Sequence, residues 1–343
     1  MINPARLQQA REVRGWTQTA LAQLVGVHQS AIAQFESGRI QPSPEILAAI
    51  GRSTGFPLTF FTRPSGPAFP LGSLRFRARA AMTARQRRQA FWLAHTLYEL
   101  MAQLAARAEL PAPRVPRLDG DPVAAAAVIR QALGLPPDQP IGPLIRTLER
   151  GGVWVLAIPM PLPQRDAFST WAGGDGSTPV IVVTATTAGD RRRFSVAHEL
   201  GHLVLHQVPQ GSPHAVEQQA DMFAAEFLMP EAAMRAALGP PVTLTTLADP
   251  KAGWGVSLQA LIRRARTLGI ITPSQSRSLH TQLGARGWKL HEPIEVPVER
   301  PRALRQLAEL LYGRPIHYEP LAYEMGLDPT FVQTILEAHA AGA

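Results

Sequence analysis

Along most of the chain apolar residues recur every three or four positions, the spacing that lines one face of a helix, and only two short stretches break into β-branched runs. Over residues 4–61 the helical recurrence is interrupted at Gly15, at Gly26, at Gly38 with Pro42, and at Gly55 with Pro57, which predicts five short helices. A Pro/Gly-rich linker from Arg63 to Gly72 comes next. An Ala/Arg/Gln-rich helix is then predicted from about Thr83, its N-cap, to Glu109, ended by Pro111, Pro113 and Pro116. Residues 121–151 give two helices split around Pro136–Pro143, and Val153–Ile158 and Pro179–Val183 read as strands. Two further helices, about Arg192–His206 and Ala215–Leu228, precede a helical stretch over 231–290 and a helical tail over 300–340. No internal repeat is evident. The expected fold is mostly α with a small β-sheet, of the α+β class.

The segment from Trp16 to Arg39 has a short helix, a glycine turn and a second helix. Thr17 is placed to cap the first helix, Ala20 is small where the two helices cross, and Gly26 takes a turn conformation that a side chain would penalise. Val27, Ile32 and Phe35 then face the core, leaving His28, Gln29, Ser30 and Gln34 on the outer face, where the N-terminal part of such a helix meets base edges in a major groove. This segment resembles the Xre (Cro/cI-like) repressor family over about residues 4–61, through Thr17-Gln18 and through Glu36-Ser-Gly38-Arg-Ile-Gln-Pro42. The resemblance implies phosphate contacts from Gln18 and Arg39 and base reading by Gln29, Ser30 and Gln34, with His28 beside them. It also implies a double-stranded DNA operator and a homodimer that reads two half-sites.

Charge agrees with that reading. The net charge of +8 resides in the first third: residues 1–110 hold 13 Arg against 5 Glu, whereas residues 111–343 hold 21 basic and 21 acidic residues. Arginines that neutralise phosphates release counterions and gain affinity.

Arg193-Phe-Ser-Val-Ala-His-Glu-Leu-Gly-His-Leu-Val-Leu-His206 contains His-Glu-x-x-His. On a helix, residues four apart share a face, so His198 and His202 point at one ion and Glu199 falls beside it to deprotonate water. With no cysteine in the chain, a metal must be held by His, Asp and Glu. Val196, Ala197, Leu200, Leu203 and Val204 bury the polar trio, and a buried polar group needs a partner such as a cation. On the next helix Glu217 and Asp221 are again four apart, one to bind the ion and one to orient a histidine. A three-histidine zincin would need His at position 208, which is Val208. His206 reads as a packing residue or one that orients a ligand, and His214, in a Gly/Ser/Pro loop, is a weaker competitor of Glu217.

The stretch from Arg193, with Glu217-x-x-Ala-Asp221-x-Phe-Ala-Ala-Glu-Phe-Leu-Met-Pro230, closely resembles the ImmA/IrrE family of metallo-endopeptidases. The likeness extends to Leu74–Ala80, Trp254–Leu261 and Gly287–Pro293. It implies one zinc ion, with manganese as the alternative, held by His198, His202 and Glu217 in a gluzincin-like site. Glu199 is then the general base, Asp221 and His206 support the ligands, and a repressor or other regulatory protein is the substrate. Many members carry Asn where Asp221 stands, which leaves the division of labour between Glu217 and Asp221 open.

The expected domains are 1–62 (DNA-binding), 63–118 (linker and basic helix), 119–235 (metallopeptidase) and 236–343 (helical C-terminal region). No apolar run reaches the length of a membrane span, and a cytoplasmic protein is expected. The leading reading is a transcriptional regulator that cleaves a regulatory protein, or itself, on a signal. Two others stay open: a repressor whose zinc domain senses a ligand or stress without turnover, and an antitoxin or partner-binding scaffold.

Overall fold

The computed structural model describes residues 1–71, 82–162, 167–184, 188–206, 212–289 and 291–340. The Leu74–Ala80 segment lies outside the described residues.

Four helices and a 3-10 turn make the N-terminal module: α1 (Pro4–Val13), α2 (Gln18–Val25), α3 (Gln29–Glu36), α4 (Pro44–Thr54) and the turn Leu58–Thr62. Where five helices were expected, the fifth is this tighter turn. Thr17 caps α2 by accepting from the Ala20 N–H at 3.1 Å, and Gly26 ends it in the left-handed conformation at φ 72°. Ile32 and Phe35 are buried, as is Leu21. The long α5 (Ala84–Ala105) begins with Thr83 and Gln86 in a reciprocal capping box. It clasps the module through Arg6, which ion-pairs with buried Glu99 at 2.7 Å, and through Gln9, which donates to Thr96 and Glu99.

After α6 (Pro122–Ala132) and α7 (Leu144–Arg150) comes a three-stranded sheet of β1 (Trp154–Ala157), β2 (Ala167–Ala172) and β3 (Thr178–Val183) in the order β1-β3-β2. β1 runs parallel to β3, and β2 antiparallel to it with Ser169 opposite Ile181. The sheet is a wall between two cores. Val180 and Val182 of β3, with Leu156 and Phe168, join a core shared by the N-terminal module, α5 and the last helices. Ile181 and Val183, with Val155, Ala157 and Ala167, join the core on the other side. Burial on both faces explains why β1 and β3 read as continuous apolar runs rather than alternating ones.

On that second side lie α8 (Gly189–Leu205) and α9 (Pro213–Leu228), followed by α10 (Glu231–Ala237), α11 (Ala248–Trp254), α12 (Leu258–Thr267) and α13 (Pro273–Ala285). α8 and α9 approach closely because Gly201 has no side chain: a Cβ there would stand 3.1 Å from the Phe223 ring and 3.3 Å from Ala220 Cα. The chain then returns to the first core with α14 (Ala303–Tyr312), α15 (Tyr318–Met325) and α16 (Pro329–Glu337). Residues 236–343, expected as one region, therefore divide between the two cores. No helix of the described residues is long and apolar enough to cross a membrane.

Candidate metal centre and nucleic-acid interface

α8 is buried along nearly its whole length, so His198, Glu199 and His202 sit at the boundary between the second core and α9. His198 Nε2 and His202 Nε2 face each other at 3.0 Å, and Glu217 of α9 brings its carboxylate oxygens to 3.4 and 3.5 Å from them. The ligand atoms all lie within 4.8 Å of one another.

The hydrogen bonds around the rings fix their tautomers. His198 Nδ1–H donates to Asp221 Oδ1 at 2.7 Å, which leaves Nε2 with its lone pair. His206 Nε2–H donates to Gln219 Oε1 at 2.9 Å, so its Nδ1 accepts from His202 Nδ1–H at 3.0 Å, and His202 Nε2 also presents a lone pair. Two lone pairs and a carboxylate converging on one point repel each other without a cation between them. The two Nε2 atoms stand 3.0 Å apart, near the edge of about 3.3–3.4 Å of a tetrahedron with metal–ligand bonds of about 2.0–2.1 Å, and a different oxygen of the Glu217 carboxylate faces each of them. The residues present therefore fit a divalent ion of the zinc type. Glu217 has its carboxylate beside both Nε2 atoms, and Asp221 contacts the opposite nitrogen of the His198 ring.

Glu199 is almost fully buried and accepts a hydrogen bond from Ser169 Oγ on β2 at 2.8 Å. Neither this strand nor this residue is predicted from the sequence. Ala167, Ser169 and Trp171 alternate toward α8, and Trp171 Nε1–H donates to Leu203 O at 2.9 Å, tying β2 to the same helix. The one signal for Ser169 is its place in Ala-Phe-Ser-Thr-Trp-Ala, an alternation too short and too polar to mark a strand without its partner. Desolvation by burial, the largest effect on His206, lowers its pKa from the ordinary histidine value. His214, at the start of α9, is not in the ligand cluster.

A cavity of about 970 Å³ opens beside Asp221, bounded by α9, α12, the start of α8 and the strap 291–298. Lys251, wholly buried, holds the strap down by pairing with Asp190 at 2.6 Å and Glu292 at 2.7 Å.

In the N-terminal module His28, Gln29, Ser30 and Arg39 are exposed around α3, and Gln18 and Gln34 are half-buried. Gln29 donates to Gln18 at 2.7 Å, Gln18 donates to Glu36 at 2.8 Å, and Arg11 closes the chain on Glu36 at 2.5 Å. Gln18 and Gln29 are thus held in register with each other. The arginine surplus of the first third is partly internal: Arg6 and Arg11 are buried in ion pairs, and Arg14 donates to Thr54 O and lies over Phe56 and Phe331. Arg39 and Arg52 remain exposed on the module.

Residues 7–61 match the family model of the helix-turn-helix, and residues 148–266 match that of the IrrE N-terminal-like domain. No curated protein matches the chain. The chain joins an Xre-like helix-turn-helix module to an ImmA/IrrE-like metallopeptidase domain, and the second match runs from α7 into α12.

Proposed function

We propose that this DNA-binding regulator holds one zinc ion on His198, His202 and Glu217 and uses it to cut a regulatory protein on a signal, either in trans or within its own linker. One observation carries the reading: two imidazole Nε2 atoms and a carboxylate converge with their ligand atoms within 4.8 Å of one another, and a buried carboxylate from the same helix turn stands beside them. When bound, zinc polarises a peptide carbonyl and lowers the pKa of water toward ~7. Glu199 takes the proton of the attacking water and returns it to the leaving amine. Ser169 holds one Glu199 oxygen so that the carboxylate keeps its orientation. Asp221 and His206 keep both imidazoles in the tautomer that offers Nε2.

On the DNA side, Gln29, Ser30 and Gln34 read bases with His28 alongside, while Gln18 and Arg39 meet phosphates. Two copies of the chain then serve a palindromic operator.

Glu199→Gln is the test. It keeps the ligands, so metal content stays at the wild-type level while cleavage of the co-expressed regulatory partner falls by about 10²–10⁴-fold, the usual contribution of a general base. Undiminished cleavage by this variant removes the catalytic role. Absence of metal from the purified wild-type chain removes the site.

A further inference from the structure

The last helices repeat the first ones at an offset of 300 residues. α1 (Pro4–Val13) and α14 (Ala303–Tyr312) each have 10 residues, and α2 (Gln18–Val25) and α15 (Tyr318–Met325) each have 8. α2 ends at Gly26 (φ 72°, ψ 34°), and α15 ends at Gly326 (φ 62°, ψ 36°). The next residue closes the same turn in both: Val27 N–H donates to Ala22 O at 3.0 Å, and Leu327 N–H donates to Ala322 O at 2.9 Å. One residue later come the N-caps, His28 of α3 and Asp328 of α16. The buried positions follow: Leu7 and Leu307, Leu21 and Leu321, Ala22 and Ala322, Ile32 and Val332, Phe35 and Ile335.

We infer that residues 302–337 are a second helix-turn-helix unit turned to protein docking, seated on the first unit through Phe331 at the start of its third helix and joined at its far end to the edge of the sheet. Three observations set it apart from the first unit as a DNA reader. Residues 1–40 carry four arginines against two glutamates, whereas residues 301–340 carry three arginines against five carboxylates, which repels a phosphate backbone. On the reading helix, exposed Ser30 is followed by half-buried Ala31, but exposed Thr330 is followed by buried Phe331. The Phe331 ring packs 5.7 Å from Phe56 and lies under the Arg14 guanidinium at 5.4 Å.

The docking is continuous on both sides. Arg63 donates to Glu324 O at 2.8 Å, and Arg107 of the segment after α5 pairs with Glu324 at 2.9 Å while donating to Tyr312. At the far end buried His339 accepts from the Ala157 N–H at 2.9 Å, supplying the free edge of β1 with an acceptor, and donates to Ile335 O at 2.7 Å. The second unit therefore brackets the DNA-binding module to the wall of the metal domain, and α3 is left as the reading helix among the described residues.

Hydrogen exchange on the full-length chain tests the bracket without DNA or activity. Phe331→Ala lowers protection of Leu58–Thr62 by about tenfold or more while α8 and α9 keep theirs, and Phe331→Leu stays near wild type. Unchanged protection at Leu58–Thr62, or an equal loss in α8 and α9, overturns the bracket. Binding to a duplex selected by the wild-type chain from a random pool tests the reading face. Gln333→Ala with Thr334→Ala leaves affinity within about twofold, whereas Gln34→Ala on α3 loses about 5–100-fold. A comparable loss from the α16 pair makes the second unit a DNA reader and sinks the inference.

Discussion

The relay from Gln219 through His206 to His202 is a case where one proton position decides the chemistry of the next ring. His198 and His202 were legible because their spacing is a property of the helix itself, and Glu199 because it lies between them. Glu217 was legible as one of two carboxylates, and only the second helix's placement separates it from Asp221. Ser169 was not legible, since the contact spans a strand and a helix thirty positions apart. Asp221→Ala frees the His198 ring to rotate and to change tautomer, and should weaken metal affinity by about 10–100-fold, read by competition with a chelator. Ser169→Ala touches no ligand. Metal affinity should stay within about twofold of wild type while kcat falls about tenfold, from a Glu199 carboxylate that has lost one orienting donor. Equal loss of metal in both variants would show that Ser169 supports the fold and not the base.

At the scale of elements the helices and their caps were readable in order, because Thr17, Thr83, Gly26 and Gly55 act within a few residues of themselves. β2 was not, because its six residues carry Ser and Thr, and its pairing with β3 is what makes it a strand. The closeness of α8 and α9 depends on Gly201 facing Phe223 and Ala220. Gly201→Val inserts bulk at that crossing and moves Glu217 away from the two imidazoles, so metal content and melting temperature should fall together. α7 and α14 meet differently. Glu149, at the end of α7, accepts the N–H groups of Arg302 and Ala303 at 2.9 Å each, in effect capping α14 from a distance. Burial pushes its carboxyl up to about 7 despite these donors. A folded-state value above the unfolded one of 4.5 means that this group's contribution to stability is complete below about 4.5 and is lost as pH rises through 7. Glu149→Gln keeps the acceptor and drops the charge, so at pH ~8 it should be more stable than wild type by about 1–2 kcal/mol, with no gain at pH ~4. Denaturant melts at the two pH values decide it.

For the whole molecule, the sheet is shared property: one face belongs to the core of the DNA-binding module and the other to the core of the metal domain. Composition pointed to a basic first third, yet several of those arginines clasp the module to α5 and α16, a role that charge counting does not distinguish from phosphate binding. The tail was legible as helices but not as a repeat, since the positions that match in kind are a few Leu, Ala and Gly, residues too common to mark a repeat until the fold aligns them. His339 sits where tail and sheet join, and its burial pushes the imidazole down to about 4 from 6.5. Here the folded state prefers the neutral ring, which both its bonds require: a protonated Nε2 cannot accept from Ala157 N–H. The contribution is therefore complete above about 6.5 and lost as pH falls through 4, worth up to about 3 kcal/mol. His95, His206 and His280 are also lowered by burial and titrate on the same side, so the pH profile of the wild type alone mixes all four. The difference between wild type and His339→Gln isolates one ring. That difference should favour wild type at pH ~7, shrink steadily between about 6.5 and 4, and stop changing below; a difference independent of pH would mean that His339 contributes packing alone and that the sheet edge does not depend on its lone pair.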